Sequence, residues 1–393
     1  MLRTVDNLNI QGQRLFLRVD FNVPYDAEGK VLDDSRIQAA LPTIRHLLER
    51  RARLILASHL GRPKEKDLSM SLVAVGERLS SLLGRDLLFP ESCVGDAVRK
   101  LAHELKEGEI ILLENLRFHP EEEANDPLFA RKLASIADVY VTDAFGALHR
   151  AHASTVGMVT HFKEKGIGFL VRKELEALGK LLTSPKRRFF AVLGGAKVSD
   201  KIGVIENLVG RVDGILLGGA LAYTFLVAKG QEVGRSKMEP GKLYLAQRIL
   251  KLAAERGTKV YLPTDHKVVP ELNRQQPAAC EVQLFIRNNG IGVDIGPETA
   301  ARYQEILQGA ETIFWNGPMG VFEIPQYSEG TFQVARAIAR PGVTSVVGGG
   351  ESVTACKQAG VAGQITHLST GGGASLEFLE GKGLPGLKVL EVS

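Results

Sequence analysis

Short apolar runs alternate with amphipathic helical patterns along the chain, and this alternation restricts the possible folds more than any single motif. In the first half, the apolar runs have the length of strands, and the patterns between them have the period of a helix. Strands are predicted at 54–58, 110–115 and 139–143, and helices at 37–49, 72–83 and 94–105. Strands that alternate with helices form mostly parallel sheets, so the sequence predicts an α/β fold. Ligands of such sheets bind beyond the carboxyl ends of the strands.

The length of the chain predicts two domains. With 393 residues, the chain is long for a single hydrophobic core. Near the middle, Val171, Leu175, Leu178 and Leu182 fall on one helical face and charged residues fill the other. A helix internal to one domain would show the same pattern, but we interpret this one as a link between domains. The predicted boundaries are 1–169 for the first domain, 170–184 for the linking helix and 185–379 for the second domain.

Composition and charge exclude several classes of partner. Lys and Arg total 49 and Asp and Glu total 45, so the formal net charge of +4 predicts no nucleic-acid partner. The longest uncharged run, 214–228, is too short to span a membrane. The N-terminal segment is too polar for a signal peptide. Cys93, Cys280 and Cys356 lack metal-binding spacing and are expected to be buried, inert thiols, which is typical of a reducing compartment, so we expect a cytoplasmic location.

The segment LFLRVDFNVP near the N-terminus alternates apolar and polar residues with the period of a strand. Its polar face would carry Arg18, Asp20 and Asn22, which are poor strand formers. An edge strand facing water would explain the alternation. A polar face that binds a ligand would explain it as well.

Basic side chains follow each predicted strand of the first half. A single Arg or His in such a loop is usually solvated or structural, but their repetition at one edge of a sheet indicates a small, highly anionic ligand with phosphate and carboxylate groups. These residues are Arg36 at the start of the first helix, His59 and Arg62, Arg117, and then His149, Arg150 and His152.

The stretch Phe189–Gly203 combines an apolar run, the pair Gly194-Gly195 and two lysines. We expect a buried strand, a turn and a helix whose first turns carry Lys197 and Lys201 on one face. Such a turn can bind phosphate through backbone amides and ammonium groups. A tight turn with solvated lysines is the alternative, because the segment is not a GxxxxGK[ST] loop.

The other apolar runs of the second half end in glycines. The segments ILLGGALA, TIFWNGPMGVF, SVVGGGES and ITHLSTGGGASLE share this design, and 290–297 adds a further predicted tight turn. Exposed amides and flat glycine walls suit a base and a polyphosphate. None of these segments fits the GxGxxG fingerprint, so a dehydrogenase is disfavoured. The sequence therefore predicts two doubly wound domains, each with a mostly parallel sheet, that face each other across a cleft and are joined by a helix. If the anion and the nucleotide both bind in this cleft, the natural reaction is phosphoryl transfer across it after the domains close.

The motifs also resemble those of a known family. LFLRVDFNVP, HLGRP, ENLRF, DAFG with HRAHAS, GGAKVSDKI, GGALAYTF, DIGP, WNGPMGVFE, GGGES and STGGGASLE are similar, in this order, to the motifs of phosphoglycerate kinases. The resemblance spans essentially the whole chain. It implies an enzyme of glycolysis and gluconeogenesis that reversibly transfers the acyl phosphate of 1,3-bisphosphoglycerate to ADP, which gives 3-phosphoglycerate and ATP, with Mg²⁺ bound to the nucleotide.

The resemblance also assigns the domains. It implies that 1–169 binds phosphoglycerate, that 185–379 binds the nucleotide, and that the tail 380–393 packs back on the first domain. A monomer is expected, because the family is usually monomeric. A non-catalytic protein that binds a nucleotide or a sugar phosphate on the same scaffold is the alternative function, although Arg36 and Lys197 argue against it.

Site residues carry over by position. The implied phosphoglycerate ligands are Asp20, Asn22, Arg36, His59, Arg62, Arg117 and Arg150. The implied nucleotide site comprises Lys201, Gly292, Asn316, Glu323, Gly349, Gly350, Glu351 and Ser352. Arg36, Lys197, Lys201 and the helix N-terminus at Gly371, Gly372 and Gly373 are the implied catalytic groups.

One residue departs from the family pattern. Glu351 stands in GGGES where the family usually has Asp, and the resemblance implies that this carboxylate reaches the magnesium of the nucleotide. Mg²⁺ tolerates little deviation from octahedral geometry, so a longer side chain must fold back or bind through water.

Overall fold

The computed structural model describes residues 2–26, 28–287 and 289–391. The chain divides into two compact units, of which unit 1 is Met1–Glu176 with Gly383–Ser393 and unit 2 is Ala177–Lys382. This division falls inside the helix Phe169–Thr183. Val392 and Ser393, which end the predicted tail 380–393, lie outside the described residues.

Helices and strands alternate through most of both units. The helices are α1 (Ser35–Glu49), α2 (Val73–Leu83), α3 (Asp96–Glu104), α4 (Pro120–Glu123), α5 (Pro127–Ala134), α6 (Phe169–Thr183), α7 (Ile202–Leu208), α8 (Gly219–Ala228), α9 (Leu243–Glu255), α10 (Pro297–Gln308), α11 (Glu329–Ile338), α12 (Gly350–Gln358), α13 (Gly373–Leu379) and α14 (Pro385–Lys388). The strands are β1 (Arg14–Arg18), β2 (Arg53–Ala57), β3 (Ile110–Leu112), β4 (Val139–Thr142), β5 (Glu164–Ile167), β6 (Phe189–Leu193), β7 (Gly214–Leu217), β8 (Lys259–Tyr261), β9 (His266–Val269), β10 (Glu281–Gln283), β11 (Ile291–Ile295), β12 (Thr312–Asn316), β13 (Thr344–Gly348) and β14 (His367–Leu368).

Unit 1 contains a five-stranded parallel sheet in the order β3-β2-β1-β4-β5. From β1 the chain builds outward to β2 and β3 and then returns to place β4 on the other side of β1. The strand order therefore reverses between β1 and β4, and this switch point is where open α/β sheets bind ligands. Because β1 is the central strand, the interpretation of LFLRVDFNVP as a water-facing edge strand is wrong.

Strand β1 is also shorter than the alternation predicted, because it ends at Arg18. Beyond that point the Val19 N–H still donates to the Ala57 carbonyl (3.0 Å), but the Phe21 N–H donates to Ser58 Oγ (2.9 Å). Side-chain hydrogen bonds thus replace the ladder. As a result, Asp20 and Asn22 lie in the loop after the strand rather than on its polar face.

Unit 2 contains a six-stranded parallel sheet in the order β14-β13-β12-β6-β7-β8. Its strand order reverses between β6 and β12. The predicted α/β class, with a mostly parallel sheet in each of two units, is confirmed.

A second, antiparallel sheet in unit 2 was not predicted. Its order is β10-β9-β11. The tight turn predicted over 290–297 is wrong, because Ile291–Ile295 is strand β11 and pairs with β9. A register shift between Gly292 and Asp294 interrupts the pairing, and this bulge gives the segment the look of a turn in the sequence.

Each unit has its own apolar core. In unit 1, Leu15 and Leu17 of β1 pack in one buried cluster with Ile37 and Ile44 of α1. In unit 2, a second cluster contains Trp315 of β12 and Tyr303 of α10, among others. Burial of one such side chain stabilises the folded state by roughly 1.5–3 kcal/mol.

The end of the described chain belongs to the core of unit 1. The Gly386 N–H donates to the Leu148 carbonyl (3.0 Å), and Leu384, Leu387 and Leu390 are buried. This contact joins α14 to the loop after β4.

The cysteines are free thiols. Cys93 and Cys356 are buried as predicted, whereas Cys280 is only half-buried, which corrects that part of the expectation. Burial raises the pKa of all three thiols, in the case of Cys356 to about 12.

None of the helices in the described part of the chain is long and apolar enough to cross a membrane.

Candidate functional site

Unit 1 holds a paired charge just beyond β1. Arg36, in the first turn of α1, forms an ion pair and hydrogen bond with Asp20. Burial alone would raise the pKa of Asp20, but the guanidinium groups of Arg36 and Arg18 and the Asn22 N–H outweigh burial and lower it. Asp20 is therefore ionised at neutral pH. The pair holds Arg36, whose side chain is 33% exposed, at the switch point between β1 and β4.

His59 lies beside this pair as a neutral imidazole. Burial holds its pKa well below the ordinary value, and Arg18, Arg117 and Arg36 lower it further against the opposing charge of Asp20. Arg18 Nη2 lies 3.2 Å from His59 Nδ1, and a guanidinium can only donate. Nδ1 is therefore the acceptor and Nε2 carries the proton. His59 can offer an Nε2–H donor to an anion.

A buried network supports Arg18, whose side chain is only 1% exposed. Arg18 Nε donates to Ser154 Oγ (2.9 Å), and Ser154 Oγ in turn donates to Glu122 Oε1 (2.5 Å). The Ser154 N–H donates to the second oxygen of Glu122 (2.9 Å). This chain of bonds compensates a buried charge that would otherwise be strongly destabilising.

Asn22 and Arg117 meet on the loop after β2. The Gly61 N–H donates to Asn22 Oδ1 (2.8 Å), and Arg117 donates to the Gly61 carbonyl. Arg117 also pairs with Glu123, with Nε 3.1 Å from Oε1. Both side chains thus fix the loop that carries His59 and Arg62.

Arg62 and Arg150 complete the basic cluster. Arg62 is exposed, and Arg150 is half-buried with its Nε 3.1 Å from His149 Nε2. Burial lowers the pKa of Arg117, and the charges of Arg150, Arg18 and Arg62 lower it further against that of Glu123. The structure therefore brings all seven predicted phosphoglycerate ligands to one edge of the sheet.

Sequence reasoning missed the support beneath this cluster. The alternation places Arg18 on the polar face of the strand without indicating its role, and no sequence pattern points to a contact between Glu122 and Ser154. The isolated Arg within an apolar run was a usable signal for Arg18. The contact between Glu122 and Ser154 joins segments 32 residues apart and has no local signature.

Unit 2 contains a pocket of about 290 Å³ beyond the ends of β6 and β12. It extends from Gly195 and Pro318, joined by an N–H···O bond of 2.9 Å, to β11 of the antiparallel sheet. The side chains of Leu272 and Tyr223 add an apolar wall. The pocket thus lies at the switch point of the second parallel sheet, as the position of the glycine-rich strand ends predicted.

The loop after β6 differs from the prediction. Helix α7 begins at Ile202, not directly after Gly194-Gly195. Lys197 is exposed in the loop and Lys201 is the N-cap residue, so the two lysines do not share a helical face. The cause is a turn in which the Lys201 N–H donates to the Val198 carbonyl (2.9 Å). The structure therefore does not form the predicted helix N-terminus next to the glycines.

Lys201 has an unusual charge environment. Burial lowers its pKa to about 8, although the carboxylates of Asp200 and Glu351 act in the opposite direction. Glu351 is exposed, lies in the first turn of α12 and lines the pocket. The ammonium of Lys201 and the carboxylate of Glu351 therefore belong to one electrostatic neighbourhood.

Asn316 ends β12 and is buried. Both polar atoms of its side chain lack a hydrogen-bond partner in the described part of the chain. A buried amide without partners is costly, so a ligand group that bonds to it would gain affinity. Gly349, at φ 89°, comes close to this amide, since a Cβ there would lie 3.0 Å from Asn316 Nδ2.

The GGGES segment combines two different environments. Gly349 is the N-cap of α12 and Gly350 its exposed first residue. Ser352 is buried instead, and its Oγ accepts the Gly317 N–H (2.6 Å). Ser352 therefore holds the loop after β12, while Gly350 and Glu351 face solvent.

Gly292 and Glu323 lie at the opposite side of the pocket. The Gly292 N–H donates to Ser236 Oγ (2.8 Å), and a Cβ at this position would lie 2.0 Å from the Tyr223 hydroxyl. Only glycine fits there without displacing the tyrosine. Glu323 is exposed and free to meet a ligand hydroxyl.

Gly371, Gly372 and Gly373 precede and begin α13, as predicted. Gly372 is the N-cap at φ 51°, and the Gly371 N–H donates to Ser369 Oγ (3.2 Å). The helix that follows is only seven residues long.

The chemistry of the donors tests the fit of a magnesium ion. No group of three or more His, Cys, Asp or Glu side chains within the described ranges could hold a metal. Mg²⁺ in nucleotide sites usually has one or two carboxylate ligands and takes the rest from phosphates and water. Glu351, exposed at the pocket, fits that pattern as a single ligand.

Other pocket residues were missed by sequence reasoning. Lys237 and Arg274 line the pocket, and the carboxylate of Glu239 contacts the loop that carries Lys197. The contact of Glu239 joins residues 40 positions apart and leaves no local pattern in the sequence.

The fold and the two sites define an α/β protein of two units, with a basic anion site in one unit and a glycine-lined pocket in the other. Comparison with known proteins supplies the family. The family model described as phosphoglycerate kinase matches residues 5–382. The chain belongs to the phosphoglycerate kinase family.

Relatives match over nearly the full length. A phosphoglycerate kinase of Anaeromyxobacter dehalogenans is 55% identical over 393 residues, with 99% of each chain covered. That of Moorella thermoacetica is 53% identical, with 98% of each chain covered. The solved structure of phosphoglycerate kinase from Coxiella burnetii, 39% identical, superposes with a TM-score of 0.87 and 99% coverage of both chains.

Proposed function

We propose that this protein is a phosphotransferase that reversibly transfers the acyl phosphate of 1,3-bisphosphoglycerate to ADP, giving 3-phosphoglycerate and ATP, a step of glycolysis. The observation that carries this proposal is the convergence of Arg36, His59, Arg62, Arg117 and Arg150 at the switch point of unit 1. A cluster of this kind suits a small ligand with both phosphate and carboxylate groups. The family match adds the nucleotide as the second substrate.

Unit 1 is proposed to bind phosphoglycerate. Arg62, Arg117 and Arg150 neutralise the phosphate, and His59 donates through Nε2–H. Asp20 orients Arg36 through their ion pair. Asn22 orients the loop after β2 by accepting the Gly61 N–H.

Unit 2 is proposed to bind the nucleotide. Lys201 and the amide of Asn316 bind its phosphates, Glu323 binds the ribose, and the base lies against the glycine wall at Gly292. Gly349 and Gly350 provide backbone at the start of α12. Ser352 acts indirectly, through its bond to Gly317.

The transfer itself needs charge stabilisation rather than a base. The acceptor carboxylate of 3-phosphoglycerate is ionised at pH 7, so no proton must be removed in the reverse direction. Negative charge spreads over the transferring oxygens, and Arg36 and Lys197 are proposed to stabilise it more in the transition state than in the ground state. The amides at Gly371, Gly372 and Gly373 contribute in the same way. Glu351 would hold Mg²⁺ beside the nucleotide phosphates, where the ion would neutralise part of their negative charge.

Three further assignments, of the C-terminal tail, the oligomeric state and the location, complete the proposal. The tail 380–393 is proposed to belong functionally to the phosphoglycerate-binding unit, with which the residues from Gly383 onward are grouped. We also propose that the enzyme acts as a monomer and works in the cytoplasm, where the free thiols Cys93, Cys280 and Cys356 would stay reduced. Neither a non-catalytic binding protein nor a dehydrogenase is favoured by the family match.

A coupled assay tests the function. Purified protein is supplied with ADP, Mg²⁺ and 1,3-bisphosphoglycerate made in place by glyceraldehyde-3-phosphate dehydrogenase, and ATP is quantified. We expect ATP formation that depends on every component. Binding of ADP and 3-phosphoglycerate without turnover would instead identify a non-catalytic protein.

A further inference from the structure

The loop 194–201 between β6 and α7 carries both lysines of the proposed transfer chemistry, yet a distant carboxylate holds it. Glu239 lies 41 residues after Val198 and accepts the Val198 N–H. It also accepts the Ser199 N–H (3.0 Å) and the Ser199 hydroxyl (2.9 Å). Three donors on two consecutive residues therefore converge on one carboxylate.

Glu239 is itself anchored. Its own N–H donates to Oγ1 of Thr224, a fully buried residue of α8 (3.1 Å). Its carbonyl accepts the Lys242 N–H (3.0 Å), which closes a short turn that starts with Pro240. The carboxylate thus ties the loop to a buried helix.

The hydrogen bonds from Val198 and Ser199 to the Glu239 carboxylate, which we call the clamp, lie between the two lysines in the sequence. Lys197 directly precedes Val198, whose side chain is fully buried. The Val198 carbonyl accepts the Lys201 N–H (2.9 Å) and the Ile202 N–H (3.1 Å). The position of the Val198–Ser199 peptide therefore determines where both side chains start.

The carboxylate also occupies amides that could otherwise bind an anion. Burial acts to raise the pKa of Glu239, but the donors of Ser199 and Val198 outweigh burial and lower it, so Glu239 is ionised at neutral pH. A phosphate near this loop must therefore be held by side chains such as those of Lys197 and Lys201 rather than by the amides of Val198 and Ser199.

We propose that Glu239 is a positioning residue for phosphoryl transfer, whose carboxylate holds the Val198–Ser199 turn so that Lys197 and Lys201 are presented to the nucleotide phosphates. The proposal rests on the function proposed above for these lysines. Glu239 acts only through the loop and contacts no reacting atom.

The first test compares Glu239→Gln and Glu239→Ala with the parent. Loss of a charged acceptor with three donors should lower kcat roughly tenfold to a hundredfold. The KM for 3-phosphoglycerate, which binds to unit 1, should stay within about twofold, because no contact of unit 1 is changed. Ser199→Ala removes one of the three donors and should give a smaller loss. Glu232→Gln, an exposed glutamate of the same unit, is the matched control and should behave like the parent.

A second readout does not depend on activity. Trypsin cleaves after Lys197 and Lys201, and limited digestion followed by mass spectrometry reports how ordered the loop is. We expect both sites to be cut faster in Glu239→Ala than in the parent or in Glu232→Gln. Equal cutting rates in Glu239→Ala and the parent would show that Glu239 does not order the loop and would overturn the proposal.

Chemical rescue separates positioning from general damage to the fold. Formate or acetate can occupy the space left in Glu239→Ala and accept the freed amides, so either anion should restore part of kcat. Glu239→Asp should retain more activity than Glu239→Ala. A loss of kcat that neither anion relieves, together with a lower unfolding temperature, would overturn the proposal in favour of a structural role.

The outcomes also separate this proposal from the proposed function. If the parent makes no ATP, the function fails, while the trypsin test still decides whether Glu239 holds the loop. If the loop loosens but kcat is unchanged, the function stands, and positioning of the lysines by Glu239 is wrong.

Discussion

At the scale of single residues, the basic cluster contains a side chain that is already the partner of another charge and is also proposed to act on the substrate. Arg36 is proposed to stabilise the transferring phosphoryl group, and it also neutralises Asp20. Replacement of Arg36 therefore has two consequences, because it removes a donor and leaves a largely buried carboxylate unpaired.

The first prediction concerns Arg36→Ala and Lys197→Ala. Each should lower kcat about a hundredfold, near 3 kcal/mol of transition-state stabilisation, and change KM much less. Arg36→Ala should also lower the unfolding temperature, whereas Lys197→Ala should not, since Lys197 is exposed. Steady-state kinetics and thermal unfolding check both parts, with Arg45→Ala on α1 as the control. A variant with near-normal kcat would remove that residue from the catalytic groups.

The second prediction concerns Glu351. Glu351→Asp should bind magnesium-ADP as tightly as the parent or tighter, because the shorter ligand suits octahedral Mg²⁺, and Glu351→Ala should bind it more weakly. The carboxylate of Glu351 partly opposes the lowering of the Lys201 pKa by burial, so Glu351→Ala should lower that pKa further. Because Lys201 would then lose its charge at lower pH, the loss of kcat/KM for ADP should move from about pH 8 to lower pH. Calorimetric titration at fixed free Mg²⁺ and a pH profile decide these points. Parent-like affinity of the alanine variant would show that Glu351 does not bind the metal.

The third prediction concerns Asp294, whose Oδ2 accepts the Gly330 N–H (2.7 Å) while its Oδ1 is buried without a partner in the described part of the chain. Burial raises the pKa of Asp294 to about 7, against the Gly330 N–H and Lys267. The folded state therefore binds a proton more tightly than the unfolded state, and stability is lost as the pH rises from about 4 to 7. The full effect is on the order of 4 kcal/mol.

Asp294→Asn should abolish most of this dependence and be the more stable protein at pH 8. Urea unfolding between pH 4 and 8 measures it, and Glu305→Gln, an exposed carboxylate of the same unit, is the control. Parallel curves for the parent and Asp294→Asn would contradict the raised pKa.

At the scale of elements, the sequence predicts the helices and strands whose bounds follow from a local apolar period. It does not predict bounds that are set by hydrogen bonds to side chains far away in the sequence. The helices near 37–49 and 72–83 agree with α1 and α2 within two residues, because their apolar period is set by the helix itself. Strand β1 ends early because Ser58 accepts the Phe21 N–H. Helix α7 starts late because the chain first forms the Val198–Lys201 turn, and Glu239 holds this turn by accepting the N–H groups of Val198 and Ser199. These partners lie 37 and about 40 residues away, so no window of sequence contains them.

The candidate site divides in the same way. Basic residues and glycines at strand ends could be predicted, since parallel strands bring their carboxyl ends to one edge. The buried support of Arg18 by Ser154 and Glu122 could not, because its donors and acceptors come from separate loops.

The fourth prediction tests how closely the strand ends of unit 2 approach. Gly317 has φ 93°, and a Cβ there would lie 2.3 Å from the Gly194 carbonyl oxygen. Gly317→Ala should therefore separate the loops after β6 and β12, cost at least about 1–3 kcal/mol of stability and weaken ADP binding. Gly179→Ala in α6 is the matched control, because its added Cβ meets nothing within 4 Å. Since alanine favours a helix more than glycine does, this variant should stabilise the folded state by up to about 1 kcal/mol. Thermal unfolding and ADP titration test both, and an undisturbed Gly317→Ala would show that the loops can separate without loss.

At the scale of the whole molecule, the chain enters unit 1, builds unit 2 and returns to unit 1. Unit 1 is therefore discontinuous in sequence, and its core includes residues that follow unit 2 along the chain. Leu379 in α13 and Leu390 after α14 are both fully buried leucines, eleven residues apart, but they belong to different units.

The final prediction uses this pair. Leu390→Ala should destabilise unit 1 by about 2–5 kcal/mol through the lost burial and the cavity left behind, and Leu379→Ala should do the same to unit 2. Hydrogen exchange followed by mass spectrometry reads each unit separately. Exchange should rise in β1, β2 and β4 for Leu390→Ala and in β6, β12 and β13 for Leu379→Ala. Affinity should follow the same division, so Leu390→Ala should bind 3-phosphoglycerate more weakly and Leu379→Ala should bind ADP more weakly. If Leu390→Ala instead raised exchange in the sheet of unit 2, the C-terminal segment would stabilise unit 2 rather than unit 1. If Leu390→Ala weakened the binding of ADP rather than that of 3-phosphoglycerate, the proposed assignment of substrates to units would have to be revised.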